Sequence, residues 1–76
     1  MDFQSEIERL TVEISFSESA DLYFQRGKIY WKIGQRAAAL TDLNKAVSLD
    51  PDSGAKDYLA MLNDIMDFYD TDQWNP

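Results

Sequence analysis

Residues 20–33 read ADLYFQRGKIYWKI and residues 36–49 read RAAALTDLNKAVSL, with only Gly34 and Gln35 between them. Apolar residues recur at intervals of three and four in both segments, which predicts two amphipathic helices. Ser19 is placed to cap the first helix and Gly34 to end it, because helices commonly stop at a residue with a left-handed backbone. Because only two residues connect the helices, we expect them to pack antiparallel as a hairpin.

Asp50 and Pro51 end the second helix, because the residue before a proline is pushed out of the helical region of the backbone. A third helix is predicted over about residues 54–69, where the apolar positions form one continuous face. Residues 70–76 have no such period and are predicted to be a tail.

The first nineteen residues fit two patterns. Apolar residues at positions 3, 7, 10 and 14 follow one side of a helix, whereas those at 10, 12, 14 and 16 alternate as in a strand. A single strand in an otherwise helical chain would have no partner and would not be stable. We therefore predict a helix over about residues 3–15.

The hairpin carries a spaced set of bulky, small and turn residues. In chain order they are Tyr23, Arg26, Gly27, Tyr30, Gly34, Ala39, Leu43, Ala46 and Pro51. This spacing resembles the signature of the tetratricopeptide repeat, W-x₂-L-G-x₂-Y followed by A-x₃-F and P, which has a period of 34 residues. Gly27 and Ala39 are small where two helices would cross closely. The resemblance implies that residues 20–53 form one full helix–turn–helix repeat.

Arg26 stands where that signature has leucine. Many repeats of the family carry Arg-Gly at this point together with an aspartate on the second helix, and Asp42 occupies that place here. Between antiparallel helices the two side chains could form an ion pair. The resemblance therefore implies a structural role for both residues.

The resemblance also implies a single all-α domain over residues 1–76. Within it, residues 1–19 would be a degenerate half of a preceding repeat and residues 54–69 a capping helix. Repeats of this kind bury their apolar faces on their neighbours, and about three are needed for stability. Either the flanking helices act as caps, or copies of the chain associate.

In this family, peptides usually bind to the concave surface formed by the first helix of each repeat. The resemblance thus implies a protein-binding adaptor that contacts its partner through the outward side of helix 20–33. The residues on that side are Asp21, Phe24, Lys28, Trp31 and Lys32. Phe24 and Trp31 could instead belong to the core, and a structural homo-oligomer is the alternative function. Met61, Phe68 and Trp74 could belong either to an interface or to the core.

The net charge of −7 argues against DNA, RNA and anionic membranes as partners, because phosphate binding needs clustered cations. The charge is unevenly placed, at −4 over residues 1–19, +3 over residues 20–49 and −6 over residues 50–76. The basic middle favours an acidic ligand or contacts between copies. The first residues lack a signal-peptide pattern and no apolar run is long enough to span a bilayer, so we predict a soluble, cytoplasmic protein.

The chain has no cysteine and no histidine, which removes the commonest general acid–base and the usual zinc ligands. Asp70 and Asp72 resemble the start of a calcium loop, but the glycine and the closing glutamate of such a loop do not follow. We therefore predict no enzymatic activity, no cofactor and no metal.

Overall fold

The computed structural model describes the backbone of residues 2–74 and the side chains of residues 2–64. Four helices make up this part of the chain: α1 over Phe3–Phe16, α2 over Ala20–Lys32, α3 over Arg36–Leu49 and α4 over Ala55–Trp74. Residues 2–74 contain no strand, so the predicted all-α fold is confirmed. The alternating pattern at the start of the chain therefore does not form a strand.

The helix boundaries agree with the predictions to within one residue, except at the end of α4. This helix continues to Trp74, five residues beyond the predicted end at Tyr69, so the prediction of an irregular tail is wrong for residues 70–74. No glycine or proline lies between Gly54 and Pro76, and those are the residues that most strongly stop a helix. The predicted contacts of Phe68 and Trp74, and the Asp70–Asp72 pair, concern side chains outside the described ones.

Each of the first two helices begins at a polar cap. The Asp2 carboxylate accepts a hydrogen bond of 3.0 Å from the backbone N–H of Gln4 at the start of α1. At the start of α2, the Ser19 hydroxyl oxygen accepts one of 3.2 Å from the backbone N–H of Leu22, as predicted. Both contacts satisfy donors that have no partner within the helix.

Gly34 ends α2 in a left-handed conformation, with φ of 86°. The backbone N–H of Gln35 donates to the carbonyl of Tyr30 at 2.9 Å, and that of Gly34 donates to the carbonyl of Trp31 at 3.1 Å. This pair of reversed hydrogen bonds is the Schellman motif, which closes a helix within one residue. It lets α3 begin at Arg36 and run back antiparallel along α2.

The core lies mainly between α2 and α3, with α1 packed on α2 and α4 packed on α3. Among the side chains of residues 2–64, Leu10, Leu43 and Leu62 are the largest that are fully buried, one each from α1, α3 and α4. The buried cluster that joins all four helices consists of Ile14, Ala20, Tyr23, Leu43, Ala46, Ala55 and Leu62. The two flanking helices thus cover the two sides of the α2–α3 hairpin.

Arg26 forms the ion pair predicted with Asp42. Its Nε donates to Asp42 Oδ2 at 2.7 Å and its Nη2 donates to Oδ1 at 2.8 Å, a bidentate geometry between α2 and α3. The third nitrogen, Nη1, donates to Thr11 Oγ1 of α1 at 3.1 Å. One guanidinium group therefore connects three helices. The hydrogen bond to Asp42 also raises the pKa of Arg26 above its ordinary value.

No helix within the described residues is both long enough and apolar enough to cross a membrane.

Candidate functional site

The five residues predicted to bind a partner all lie on α2. We call them the α2 face: Asp21, Phe24, Lys28, Trp31 and Lys32. Asp21 and Lys32 are exposed at the two ends of this face, while the three side chains between them are half-buried. The buried residues of α2 are Ala20, Tyr23 and Gly27. Phe24 and Trp31 follow Ala20 and Gly27 by four residues, so the α2 face lies next to the buried side of the helix.

Phe24 connects α2 to the beginning of α4. Its ring meets the edge of the Tyr58 ring, with centroids 5.6 Å apart and an angle of 69° between the ring planes. A Cβ on Gly54 would lie 3.4 Å from Phe24 Cε2, so the turn before α4 also passes close to this ring. Edge-to-face pairs of this kind are favourable, and this pair fixes the orientation of Phe24.

Lys28 lies one helical turn beyond Phe24 and folds back over it. The ammonium nitrogen is 4.6 Å from the centroid of the Phe24 ring, which is within the range of a cation–π interaction. The positive charge of Lys28 is thereby held beside a partly exposed aromatic surface.

Trp31 is half-buried and packs against the core cluster with part of its ring surface exposed. The Arg36 guanidinium carbon lies 5.5 Å from the centroid of the Trp31 ring. Arg36 is the first residue of α3 and is exposed, and it was not among the predicted site residues. The two-residue turn is the signal that could have placed it there, because that turn leads directly from the end of α2 to Arg36.

Lys32 forms a third contact of the same type at the far end of the α2 face. Its ammonium nitrogen is 5.9 Å from the centroid of the Phe3 ring, which belongs to α1 and keeps 37% of its surface exposed. Phe3 was also missed as a site residue. The apolar stripe of α1 indicated only that Phe3 faces another helix. Which residue Phe3 contacts there depends on how α1 packs on α2.

The positively charged residues at this surface differ from Arg9 and Arg26 in having no acidic partner. Within residues 2–64, the ion pairs are those of Arg9 with Glu6 and Glu13 and that of Arg26 with Asp42. Lys28, Lys32 and Arg36 form no ion pair with any of the described residues. Asp21, the acid of the α2 face, accepts a hydrogen bond of 2.6 Å from Gln25 Nε2. A surface of unpaired cations beside aromatic rings is suited to binding a ligand with carboxylate and apolar groups.

Tyr23, on the buried side of α2, is held by a different contact. Its hydroxyl group donates to Glu18 Oε1 at 2.6 Å, across the turn that joins α1 to α2. This hydrogen bond raises the pKa of Tyr23 above its ordinary value, and burial of the ring adds to the effect. Because the ring is buried against the core, this group contributes to stability and lies outside the α2 face.

A shallow cavity of about 320 Å³ lies at the turn between α3 and α4. Its lining is polar and consists of Pro51, Asp52, Gly54, Lys56 and Asp57. Within the described part of the chain, Asp and Glu side chains do not form a group of three or more that could hold a metal ion. The α2 face therefore remains the best-defined candidate site.

A family model described as "Tetratricopeptide repeat" matches residues 20–53. These residues form a tetratricopeptide repeat. The matched range equals the predicted one, with α2 as the first helix of the repeat and α3 as the second. Tetratricopeptide repeats generally mediate protein–protein interaction and are typically non-enzymatic. Comparison with curated proteins and with solved structures gave no match.

The signature residues of the tetratricopeptide repeat lie where its two helices meet. Gly27 and Ala39 are buried at the α2–α3 contact, Leu43 packs directly beside Gly27, and Ala46 is buried in the core cluster. The α2 face lies beside this contact on the first helix and contains none of these signature residues. The residues that build the repeat and the candidate site are therefore separate sets of side chains.

Proposed function

We propose that this protein is an adaptor that binds a peptide or protein partner through the α2 face. The observation that carries the proposal is the cluster formed by Phe24, Lys28 and Trp31. The two aromatic rings are each partly buried and partly exposed, and a lysine charge lies 4.6 Å over one of them. Tryptophan is among the residues that most often anchor protein interfaces.

The buried part of each ring restricts the orientation of Phe24 and Trp31 before a partner arrives. Phe24 is held by Tyr58, and Trp31 is held by the core and by Arg36. Ordering a long side chain on binding costs about 0.5–1.5 kcal/mol, and side chains that are already held avoid much of this cost. Because this cost is reduced, a partner can bind tightly to the α2 face through a small contact area.

The test begins with a phage-displayed library of random dodecapeptides selected on the immobilised protein. The affinities of the selected peptides are then measured by isothermal titration calorimetry for the wild type, Trp31→Ala and Lys28→Glu. We expect each substitution to weaken binding at least tenfold while the helical circular dichroism stays unchanged.

Lys45→Glu is the matched control, because Lys45 is an exposed lysine of α3 and the substitution changes the net charge equally. Peptides that bind all four proteins with the same affinity would place the binding site elsewhere. Loss of helicity in Trp31→Ala would instead show that Trp31 is needed mainly for folding.

Self-association is the second candidate function, and one observation favours it. Phe16 is 85% exposed and Val12 is 54% exposed, one turn apart on the side of α1 away from the buried Ile7, Leu10 and Ile14. Light scattering over a range of concentrations measures the molar mass directly. A concentration-dependent increase in mass that Phe16→Ser abolishes would support this alternative. A constant monomer mass would exclude it.

A further inference from the structure

The stretch from Leu22 to Thr41 contains no aspartate or glutamate, in a chain that has 14 of them. The cations in this stretch are Arg26, Lys28, Lys32 and Arg36. Asp42 neutralises Arg26 through the bidentate ion pair. The other three cations lie on or beside the α2 face, where Asp21 is the one acid, on a protein whose net charge is −7.

Each of these three cations lies over an aromatic ring instead of an acid. The distances to the ring centroids are 4.6 Å for Lys28 over Phe24, 5.9 Å for Lys32 over Phe3 and 5.5 Å for Arg36 over Trp31. A cation–π contact at an exposed site contributes only about 0.5–1 kcal/mol. It holds the cation in place but leaves its charge uncompensated, so a carboxylate from outside can still pair with it.

We propose that the partner of the α2 face is an acidic polypeptide segment. Two of its carboxylates pair with Lys28 and Lys32, and an apolar side chain beside them contacts Trp31. This inference rests on the proposed function, because it assigns the chemistry of the ligand to the same surface. Arg36 extends the positive surface toward α3 and pairs with a further acid of the segment.

The spacing of the two lysines defines the segment further. Residues four apart on a helix are separated by about 6 Å along its axis. Alternate residues of an extended chain are about 6.6 Å apart and point to the same side. An extended segment with acids at alternate positions therefore matches Lys28 and Lys32, as do acids four residues apart on a helix.

The overall charge favours a short acidic segment over a nucleic acid. At physiological ionic strength the screening length is about 8 Å, so a short peptide is affected mainly by the cations next to it. A long polyanion would also approach the acidic regions at residues 1–19 and 50–76, and like charges would repel it. The local positive charge therefore selects for ligands that are both acidic and small in extent.

The experiment uses the phage-displayed dodecapeptide library and the double variant Lys28→Glu/Lys32→Glu. We expect the wild type to enrich peptides containing Asp and Glu at least threefold over the unselected library. Replacing the acids of a selected peptide by Asn or Gln should weaken its binding at least tenfold. The double variant should bind the selected peptide at least tenfold more weakly than the wild type does. Binding of the peptide to the wild type should also weaken as the salt concentration increases.

Lys45→Glu/Lys56→Glu is the matched control, because it makes the same change in net charge at two exposed lysines outside the α2 face. Equal loss of binding in this control would overturn the inference, since the effect would then come from net charge alone. Acidic peptides that bind the Lys28→Glu/Lys32→Glu variant as tightly as the wild type would also overturn it.

The remaining outcomes separate this inference from the proposed function. Selected peptides that lack acids but need Trp31 would overturn the acidic partner and leave the proposed function standing. Peptides whose binding does not depend on any residue of the α2 face would overturn both. The last outcome is association of the protein with itself that Lys28→Glu/Lys32→Glu abolishes. That result would identify the acidic segment as part of a second copy and would overturn the inference of a separate partner.

Discussion

Gly27 and Leu43 approach so closely that the crossing of α2 and α3 has no room for a methyl group. A Cβ on Gly27 would lie 2.9 Å from Leu43 Cγ and 3.1 Å from its Cδ2, and 3.3 Å from the carbonyl oxygen of Ala39. Leu43 is fully buried, so it cannot move aside without disturbing its neighbours. The contact allows α3 to lie directly on the backbone of α2.

Gly27→Ala is therefore expected to lower the free energy of unfolding by about 1–3 kcal/mol through overpacking. At an ordinary position within a helix the same change would raise it by about 1 kcal/mol, because alanine has the higher helix propensity. The midpoint of urea unfolding measures the difference. A midpoint above that of the wild type would contradict the close crossing of the two helices.

Asp42→Ala leaves the guanidinium group of Arg26 without its carboxylate between α2 and α3. Breaking a buried ion pair costs about 3–5 kcal/mol, and we expect about 2–3 kcal/mol here because 16% of the Arg26 side chain stays exposed. Thermal and urea unfolding measure the loss. Glu6→Ala is the comparison, since it breaks an ion pair at the surface and should move the midpoint very little.

The double variant Arg26→Leu/Asp42→Leu tests whether the ion pair can be replaced by apolar packing. Replacing both partners removes the unpaired charge, so the double variant should be more stable than Asp42→Ala. A double variant that is no more stable than Asp42→Ala would indicate that the hydrogen bond from Arg26 to Thr11 is also needed.

Gly34→Ala changes the turn between α2 and α3 without introducing a steric contact. No heavy atom lies within 4 Å of a Cβ built on Gly34, but its φ of 86° is a conformation that residues with a Cβ rarely adopt. We expect a loss of about 1–2 kcal/mol from the left-handed backbone alone. Gly34→Asn should lose less, because asparagine tolerates this conformation better, and equal losses for both would point to a cause other than backbone strain.

Tyr23→Phe removes the hydrogen bond to Glu18 and should lower the free energy of unfolding near pH 7 by about 1 kcal/mol. The pKa of Tyr23 is raised above its ordinary value of 10.0 in the folded protein. The stability gained from this group is therefore complete below about pH 10 and is lost as the pH rises through the folded-state value.

Urea unfolding measured between pH 8 and pH 11 checks this dependence. The loss of stability above pH 10 should be smaller in Tyr23→Phe than in the wild type. Glu18→Gln is the matched control, because it keeps the tyrosine but removes the carboxylate that raises its pKa, and it should also flatten the profile. An unchanged profile in both variants would contradict the role of this hydrogen bond.

Local features of the chain predicted the central part of the fold. The period of the apolar residues, the Ser19 cap and the left-handed Gly34 are properties of a few neighbouring residues, and they placed α2 and α3 almost to the residue. The continuation of α4 beyond Tyr69 was not predicted, because residues 70–76 have no apolar period. No glycine or proline interrupts the chain between Gly54 and Pro76, and α4 extends through this segment to Trp74.

The sequence by itself determined the helices, the turn and the repeat that α2 and α3 form, because these depend on contacts between residues close together along the chain. Only the tertiary structure decided that Thr11 accepts a hydrogen bond from Arg26, that Phe3 lies beneath Lys32 and that Phe24 meets Tyr58. Those contacts join different helices, and they depend on how each helix is rotated about its axis. That rotation is set by the packing of the whole core, so a pattern within one helix cannot predict it.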